Sequence, residues 1–308
     1  MHITDALTGY WLEKRSNVSE HTVSDYQLTF SRFVAWLPAD AQIETITADQ
    51  VRRFLATMRK EHRLGDKTVA NYWIALSSLW TWAESELGVE HIIRRRIARP
   101  TYRRKEILPY SRQEIAAMLD ATGQTSAWRS RNGRVVRSQR PEALRDRAIL
   151  LVLLDSGLRA SEICDLRIAD HDQRTGQLHV RKGKGDKGRY VYLGDTSRKA
   201  IWRYLASRPE PLPGDPIFAT KTGLPMERNS LGNMIEHCAQ RAGVTGATVH
   251  RFRHTFAITF LRNGGSVLEL QQMLGHEKMD TIRIYARLAE VDLQDAQRRA
   301  SPADNWRL

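Results

Sequence analysis

The spacing of apolar residues predicts helices over most of the first hundred residues. Behind Ser19, a residue type that often caps helices, apolar side chains recur at helical spacing: Val23, Tyr26, Phe30, Phe33, Val34 and Leu37. The segment 3–14, a capping box followed by an apolar stripe over 47–58, and the run 69–83 predict further helices. We therefore expect a helical bundle whose aromatic side chains form its core rather than base-stacking surfaces.

Beyond residue 109 the pattern predicts a second domain that is mainly helical with a small β-sheet. A capping box at 111–114 opens it, and the strongly apolar stretch 143–155 predicts a buried helix. Segments 177–182 and 188–193 predict two strands joined by a glycine-rich turn, hence a β-hairpin. Further helical patterns lie around residues 196–207, 228–242, 250–262, 266–274, 278–287 and 290–299.

Two polar, basic segments interrupt these patterns. Residues 94–105 hold seven basic side chains and no acidic one, and Pro100 and Pro109 interrupt any helix there. This predicts a linker at 94–108, between domains at 1–93 and 109–308, that contacts the backbone of a polyanion; a solvated run of charge is the alternative. Residues 123–140 contain five arginines and predict a flexible basic loop.

Composition and charge point to a polyanionic partner. The 308-residue chain has a formal net charge of +13 and an isoelectric point near 10.0. Lysine and arginine that neutralise phosphates release counterions, so nucleic acid is the expected partner, against the alternative of a basic protein that is merely soluble. With two cysteines, no apolar leader and no run long enough to span a membrane, we expect a cytoplasmic, nucleoid-associated protein with no membrane contact.

Four short stretches carry residues suited to phosphate chemistry. Arg159 follows a glycine, and Glu162 lies three residues on, where it can orient the guanidinium. The hairpin turn offers Lys184 or Lys187 as a proton donor to a leaving oxygen, although most basic residues there are expected only to grip phosphate. Each stretch alone is a modest signal.

The other two stretches place histidines near an arginine and a tyrosine. His250 and Arg253 share a helical face with His254, and His276 precedes Tyr285 by nine residues. A phenol among such cations can attack phosphorus while they stabilise the charge on the phosphate oxygens. Zinc binding by the two histidines of the first stretch is the alternative, but no further ligand cluster accompanies them, so no metal and no other cofactor is expected.

Together these motifs closely resemble the tyrosine recombinase, or phage integrase, family. The motifs SGLRASEI, GKGDKGRYVYL, HRFRHTF and LGH occur in the family's order before Tyr285. Overall length resembles Xer-type and short integrase members. The resemblance implies an N-terminal SAM-like core-binding domain and a mixed α/β catalytic domain with a C-terminal tail. One departure is the longer basic segment at 123–140.

The resemblance also implies roles for individual residues. Arg159 and Arg253 would clamp the scissile phosphate, and His250 would contact it and assist proton transfer. Lys184 would be the general acid, with Lys187 as the alternative. His276 would hydrogen-bond the phosphate, Tyr285 would be the nucleophile, and Glu162 would support the site from behind. Contacts to DNA are expected from Arg94, Arg95, Arg96, Arg103, Arg104, Arg181, Lys182 and Lys187.

The implied function is site-specific recombination of double-stranded DNA in integration, excision or dimer resolution. Cleavage and rejoining would pass through a 3′-phosphotyrosyl bond and a Holliday junction, in a homotetramer assembled through the C-terminal tail, with possible accessory proteins. A type IB-like topoisomerase with the same chemistry, a non-enzymatic DNA-binding protein and a metal-dependent nuclease are the alternatives.

Overall fold

The computed structural model describes most of the chain and divides it into two compact units. The described residues are 1–102, 108–123, 128–129, 132, 135–136, 140–181, 188–275, 285, 297 and 301–306. The units are Met1–Lys105 and Glu106–Leu308. None of the helices in the described part of the chain is long and apolar enough to cross a membrane.

Four helices form the first unit, as the apolar spacing predicts. They are α1 (Ile3–Lys14), α2 (Glu20–Trp36), α3 (Ala48–Lys60) and α4 (Asp66–Leu87). The predicted caps are confirmed: the Ser19 hydroxyl accepts from the Thr22 N–H at 3.2 Å, and Thr47 forms a capping box with Gln50. The aromatic side chains do form the core, which includes Tyr10, Phe30, Phe33, Phe54, Tyr72 and Trp80.

Residues just after α4 pack onto this first unit. Ile92, Ile93 and Ile97 are buried in its core, and the Trp73 indole N–H donates to the Ile97 carbonyl at 3.1 Å. The predicted linker at 94–108 thus starts within a segment that belongs to the helical unit. Arginines flank Ile97 on both sides, so the basic composition of this segment did not indicate that Ile97 is buried in the core.

The second unit is a mixed structure dominated by helices. Its strands are β1 (Trp128–Arg129), β2 (Val135–Val136), β3 (Gln177–Val180) and β4 (Arg189–Tyr192), and β3 pairs antiparallel with β4 as predicted, with Leu178 opposite Val191. Its helices are α5 (Arg112–Ala121), α6 (Ala143–Ser156), α7 (Ala160–Asp165), α8 (Asp195–Ala206), α9 (Arg228–Ala242), α10 (Val249–Arg262), α11 (Val267–Leu274) and α12 (Pro302–Trp306).

Helix α6 is the centre of the second core. Its residues from Ala148 to Leu153 are all buried, and it packs against α8 and α10. An uninterrupted apolar run buries every face of a helix, which confirms the predicted buried helix at 143–155. The capping box predicted at Ser111 and Glu114 is also present.

The basic loop predicted at 123–140 needs correction. Trp128 pairs with Val136 and Arg129 with Val135, which makes a short antiparallel strand pair. Aromatic and β-branched residues favour this pairing, and the arginine count obscured them. Arg140 ends the segment in an ion pair of 2.8 Å with buried Asp146. The helices predicted at 278–287 and 290–299 lie outside the described residues, except for Tyr285 and Gln297, which are helical.

Candidate active site

Arg159 is positioned by the sharp turn between α6 and α7. Helix α6 ends at Gly157, which has a left-handed φ of 60°, and α7 begins one residue after Arg159. Glu162 accepts from the Arg159 backbone N–H at 2.8 Å and from its Nη1 at 2.8 Å. The Arg159 side chain keeps 34% of its surface exposed. Glu162 therefore orients a guanidinium that still reaches solvent.

Glu162 also binds a second arginine that the sequence analysis did not assign to the site. Arg189, at the start of β4, donates from Nη1 and Nη2 to the two carboxylate oxygens at 2.8 and 2.9 Å, and from Nε to the Met273 carbonyl at 2.7 Å. Burial alone would raise the pKa of Glu162, but the hydrogen bonds and charges of Arg189 and Arg159 outweigh it and lower the pKa to about 2. The carboxylate therefore stays ionised and ties the hairpin to α7, while the Nε donation of Arg189 ties the hairpin to α11.

Arg253 lies on α10 and is almost entirely buried. Its Nη1 donates to the Gly157 carbonyl at 2.8 Å and its Nη2 to the Leu274 carbonyl at 2.7 Å, so one guanidinium holds the C-terminal ends of α6 and α11. Burial, and next the positive charge of Arg159, lowers the pKa of Arg253 to about 10. The side chain remains protonated at neutral pH and places a second fixed positive charge beside Arg159.

His250 and His254 make a direct contact on one face of α10. Their Nε2 atoms lie 2.9 Å apart, and the rings meet edge to face. His250 is exposed and His254 is half-buried. Burial, followed by the charges of His250 and Arg253, lowers the pKa of His254 to about 4, so its imidazole is neutral at pH 7. From the sequence alone, His254 stands out only in the alternative of a zinc site, although its i+4 spacing from His250 predicts this contact.

Tyr285 is buried beside His254. The residue is 2% exposed, and its ring centroid lies 5.1 Å from that of His254 with the planes at 64°. It packs in a small apolar cluster with Phe256, Ala257, Ile258, Leu261, Leu270 and Leu274. Burial raises the pKa of Tyr285, whereas the charges of Arg253 and Arg159 lower it.

These contacts bring five of the predicted residues into one site: Arg159, Glu162, His250, Arg253 and Tyr285. Lys184 and His276 lie outside the described residues. Two guanidiniums next to a phenol form an anion site beside a nucleophile, and an exposed imidazole adds a group that can donate or accept a proton. The arrangement is suited to reaction at a phosphate.

Three of the arginines predicted to bind DNA form ion pairs with acidic residues in the structure. Arg94 forms a 3.1 Å ion pair with Glu84, Arg96 pairs with Glu90, and Arg181 pairs with Asp170. Arg95 is exposed with a positive φ of 62°. Arg103, Arg104, Lys182 and Lys187 lie outside the described residues. The DNA contacts remain a prediction.

Two sequence profiles match the chain. The phage integrase family matches residues 133–291, and the phage integrase N-terminal SAM-like domain matches residues 8–87. The first range contains the five assembled site residues, and the second lies within the helical unit.

Individual relatives agree with the profiles. The tyrosine recombinase XerC of Pelobacter propionicus is 30% identical over 299 residues, which is 94% of this chain and 92% of that protein. XerC of Lactobacillus delbrueckii subsp. bulgaricus is 37% identical over 166 residues, which is 51% of this chain. The match covers 56% of that relative, little more than half of its length. A lambda integrase tetramer bound to a Holliday junction has a similar fold, with a TM-score of 0.72 at 16% identity over 92% of this chain and 77% of that one.

Proposed function

Because this chain belongs to the phage integrase family of tyrosine recombinases, we propose that it is a site-specific DNA recombinase with Tyr285 as its nucleophile. The observation that carries the proposal is the packing of Tyr285 against His254 on α10, the helix that bears His250 and Arg253, where the charges of Arg253 and Arg159 also act on the phenol. A phosphate held by both guanidiniums would lie beside the phenol oxygen. Fixed positive charge aimed at developing negative charge is the largest single contribution to many such reactions.

In the proposed cleavage step, the Tyr285 oxygen forms a bond to phosphorus as the phenol proton passes to His250, and the bond from phosphorus to the 5′-oxygen breaks. Arg159 and Arg253 neutralise the non-bridging oxygens, helped by hydrogen bonds from His250 and His276. Lys184 gives a proton to the departing 5′-oxygen. The products are a 3′-phosphotyrosyl bond and a free 5′-hydroxyl.

The proposed rejoining step reverses this chemistry with a different strand. A 5′-hydroxyl from a partner duplex attacks the phosphotyrosyl bond and releases Tyr285. The bond energy is kept throughout, so ATP is not consumed, and two rounds through a Holliday junction complete recombination. The arginine, lysine and histidine side chains supply the charge stabilisation that metal ions supply in other phosphoryl-transfer enzymes.

The burial of Tyr285 adds a requirement to this mechanism. With 2% of its surface exposed, the residue is almost entirely shielded from solvent in the structure. Burial also favours the protonated phenol over the phenolate. We propose that binding of DNA opens this site, so that the phenol meets the phosphate only in the complex.

Trapping of covalent protein–DNA complexes tests the function. Wild type and Tyr285→Phe are incubated in EDTA with nicked fragments of the DNA that flanks the gene, and then denatured. We expect attached DNA only with wild type, and sequencing of that DNA identifies the recombination site. Loss of the wild-type adduct in EDTA relative to the same reaction without chelator would contradict the mechanism, as would equal adducts from both proteins.

A further inference from the structure

His254 contacts both ends of the proposed chemistry. It follows Arg253 on α10, its Nε2 lies 2.9 Å from Nε2 of His250, and its ring meets the ring of Tyr285 at 5.1 Å. His250 is the histidine proposed to act on the phosphate and Tyr285 is the proposed nucleophile. A single half-buried ring therefore connects two groups that must act on one phosphorus atom.

The hydrogen bonds of His254 decide where its proton lies. A neutral imidazole has one N–H donor and one acceptor nitrogen. Nδ1 of His254 is buried and has no hydrogen-bond partner among the described residues, whereas Nε2 contacts His250. Buried N–H groups without a partner are rarer than buried acceptors without one. This asymmetry favours the tautomer of His254 with its proton on Nε2, from which it can be donated to Nε2 of His250.

This donation fixes the state of His250 in turn. Because Nε2 of His250 accepts, the proton of neutral His250 lies on Nδ1. The packing of His254 against the ring of Tyr285, which itself lies in the apolar cluster, holds the donor in place. In the same way, the partner of one ring nitrogen sets the tautomer and orientation of histidines in many metal sites.

We propose that His254 is a positioning residue: its Nε2–H sets the orientation and tautomer of His250, and its ring holds Tyr285 beside that histidine. The proposal rests on the proposed function for its catalytic consequence. Its structural content, the donation from His254 to His250, does not depend on any activity.

Two substitutions separate the hydrogen bond from the packing. His254→Gln keeps an N–H donor at about the reach of Nε2, whereas His254→Leu fills the pocket without a donor. His237→Leu is the matched control, because His237 is exposed on α9 and its Nδ1 lies 3.4 Å from Oε1 of Gln240 on the same helix. Thermal unfolding of each variant establishes that it folds.

Nitrogen-15 NMR of histidine-labelled protein without DNA tests the proton placement. We expect His250 to carry its proton on Nδ1 in wild type, in His254→Gln and in His237→Leu, and to lose this preference in His254→Leu. A proton on Nε2 of His250 in wild type, or an unchanged His250 signal in His254→Leu, would overturn the proposal.

The rate of covalent adduct formation tests the consequence. A misplaced reacting group costs roughly 100-fold in rate, so we expect a loss of about that size for His254→Leu with unchanged DNA affinity, and recovery of most of it in His254→Gln. Equal rates for wild type and the leucine variant, or equal losses for leucine and glutamine, would overturn the positioning role. If wild type itself forms no adduct, the proposed function fails, and the NMR result still decides the donation.

Discussion

At the scale of single residues, Glu162 has the clearest energetic role in the site. Its side chain is 3% exposed and receives hydrogen bonds from two arginines. A buried carboxylate is stabilising only when its partners compensate for lost water, and removal of one partner leaves the others uncompensated. Glu162 therefore stabilises the fold of the second unit and also orients Arg159.

This role predicts a pH-dependent stability. The pKa of Glu162 is about 2 in the folded state, below its ordinary value of 4.5, so its contribution is present above pH 4.5 and is lost as pH falls toward 2. The difference corresponds to on the order of 3 kcal/mol. We expect Glu162→Gln to lower the free energy of unfolding by about that amount at pH 7.

Urea denaturation at pH 7 and pH 3 measures this effect. The difference in the free energy of unfolding between wild type and Glu162→Gln should be smaller at pH 3. At that pH, between 4.5 and the folded pKa of about 2, part of the wild-type contribution is already lost. Glu236→Gln, an exposed position on α9, is the control and should change little at either pH. A gap that stays constant with pH would show that the ion pairs do not carry the stability.

At the scale of elements, the turn from α6 into α7 is the feature on which the site depends. Gly157 ends α6 with a left-handed φ, and its carbonyl accepts from Arg253. A Cβ at this position would lie 2.4 Å from Cδ1 of Phe256. Both conformation and space therefore require glycine one residue before Leu158 and two before Arg159.

A pair of alanine substitutions distinguishes the two requirements. Gly243 ends α9 with a φ of 70° and has open space around it, so Gly243→Ala should cost about 1 kcal/mol through conformation alone. Gly157→Ala adds a clash with Phe256 and should cost about 3 kcal/mol. Thermal and urea unfolding measure both. If both substitutions lowered the free energy of unfolding equally, the α6–α7 turn would accommodate the added Cβ, and close packing against Phe256 would not be what positions Arg159.

The same elements explain what the sequence could and could not predict. Helix caps at Ser19, Thr47 and Ser111, and the buried run of α6, depend on neighbours a few residues away, so local patterns predict them. The bond from Arg189 to Glu162 spans 27 positions and that from Arg253 to Gly157 spans 96. Such contacts form only when α10 and the hairpin have packed against the rest of the unit. The spacing of apolar residues within one helix or strand therefore does not predict them.

The resemblance to a family predicted which residues are catalytic, whereas the residue types alone left a zinc site and a purely phosphate-binding hairpin as alternatives. It could not reveal His254, because the role proposed for that residue follows from the placement of its two ring nitrogens. It also could not reveal that Arg94 and Arg96 each face a glutamate of their own unit. Side-chain partners, unlike motifs, depend on the packed structure.

At the scale of the whole molecule, assembly is expected to depend on the C-terminal tail. We propose that residues 289–308 dock on a neighbouring subunit in a tetramer, with Val291 and Leu293, which lie outside the described residues, as apolar anchors. Within the described part of the tail, Trp306 on α12 is 73% exposed. An exposed tryptophan is a side chain suited to burial against a partner.

Deletion of residues 289–308 tests this assembly. We expect the truncated protein to bind a single half-site normally in gel shifts but to fail to form the complex of four subunits on two sites in sedimentation. Full-length Tyr285→Phe is the control, because it lacks only the phenol oxygen and should assemble. If truncation weakened half-site binding as much as assembly, the tail would belong to the fold of the subunit instead.

The central claim is that DNA becomes linked to this chain at Tyr285, and mass spectrometry of the linked peptide tests it most directly. Wild-type adducts trapped on a nicked site are digested with nuclease and protease, and the modified peptide is fragmented. We expect a nucleotide attached through its 3′-phosphate to Tyr285. A nucleotide on any other residue, or one attached through a 5′-phosphate, would rule out Tyr285 as the nucleophile of this cleavage.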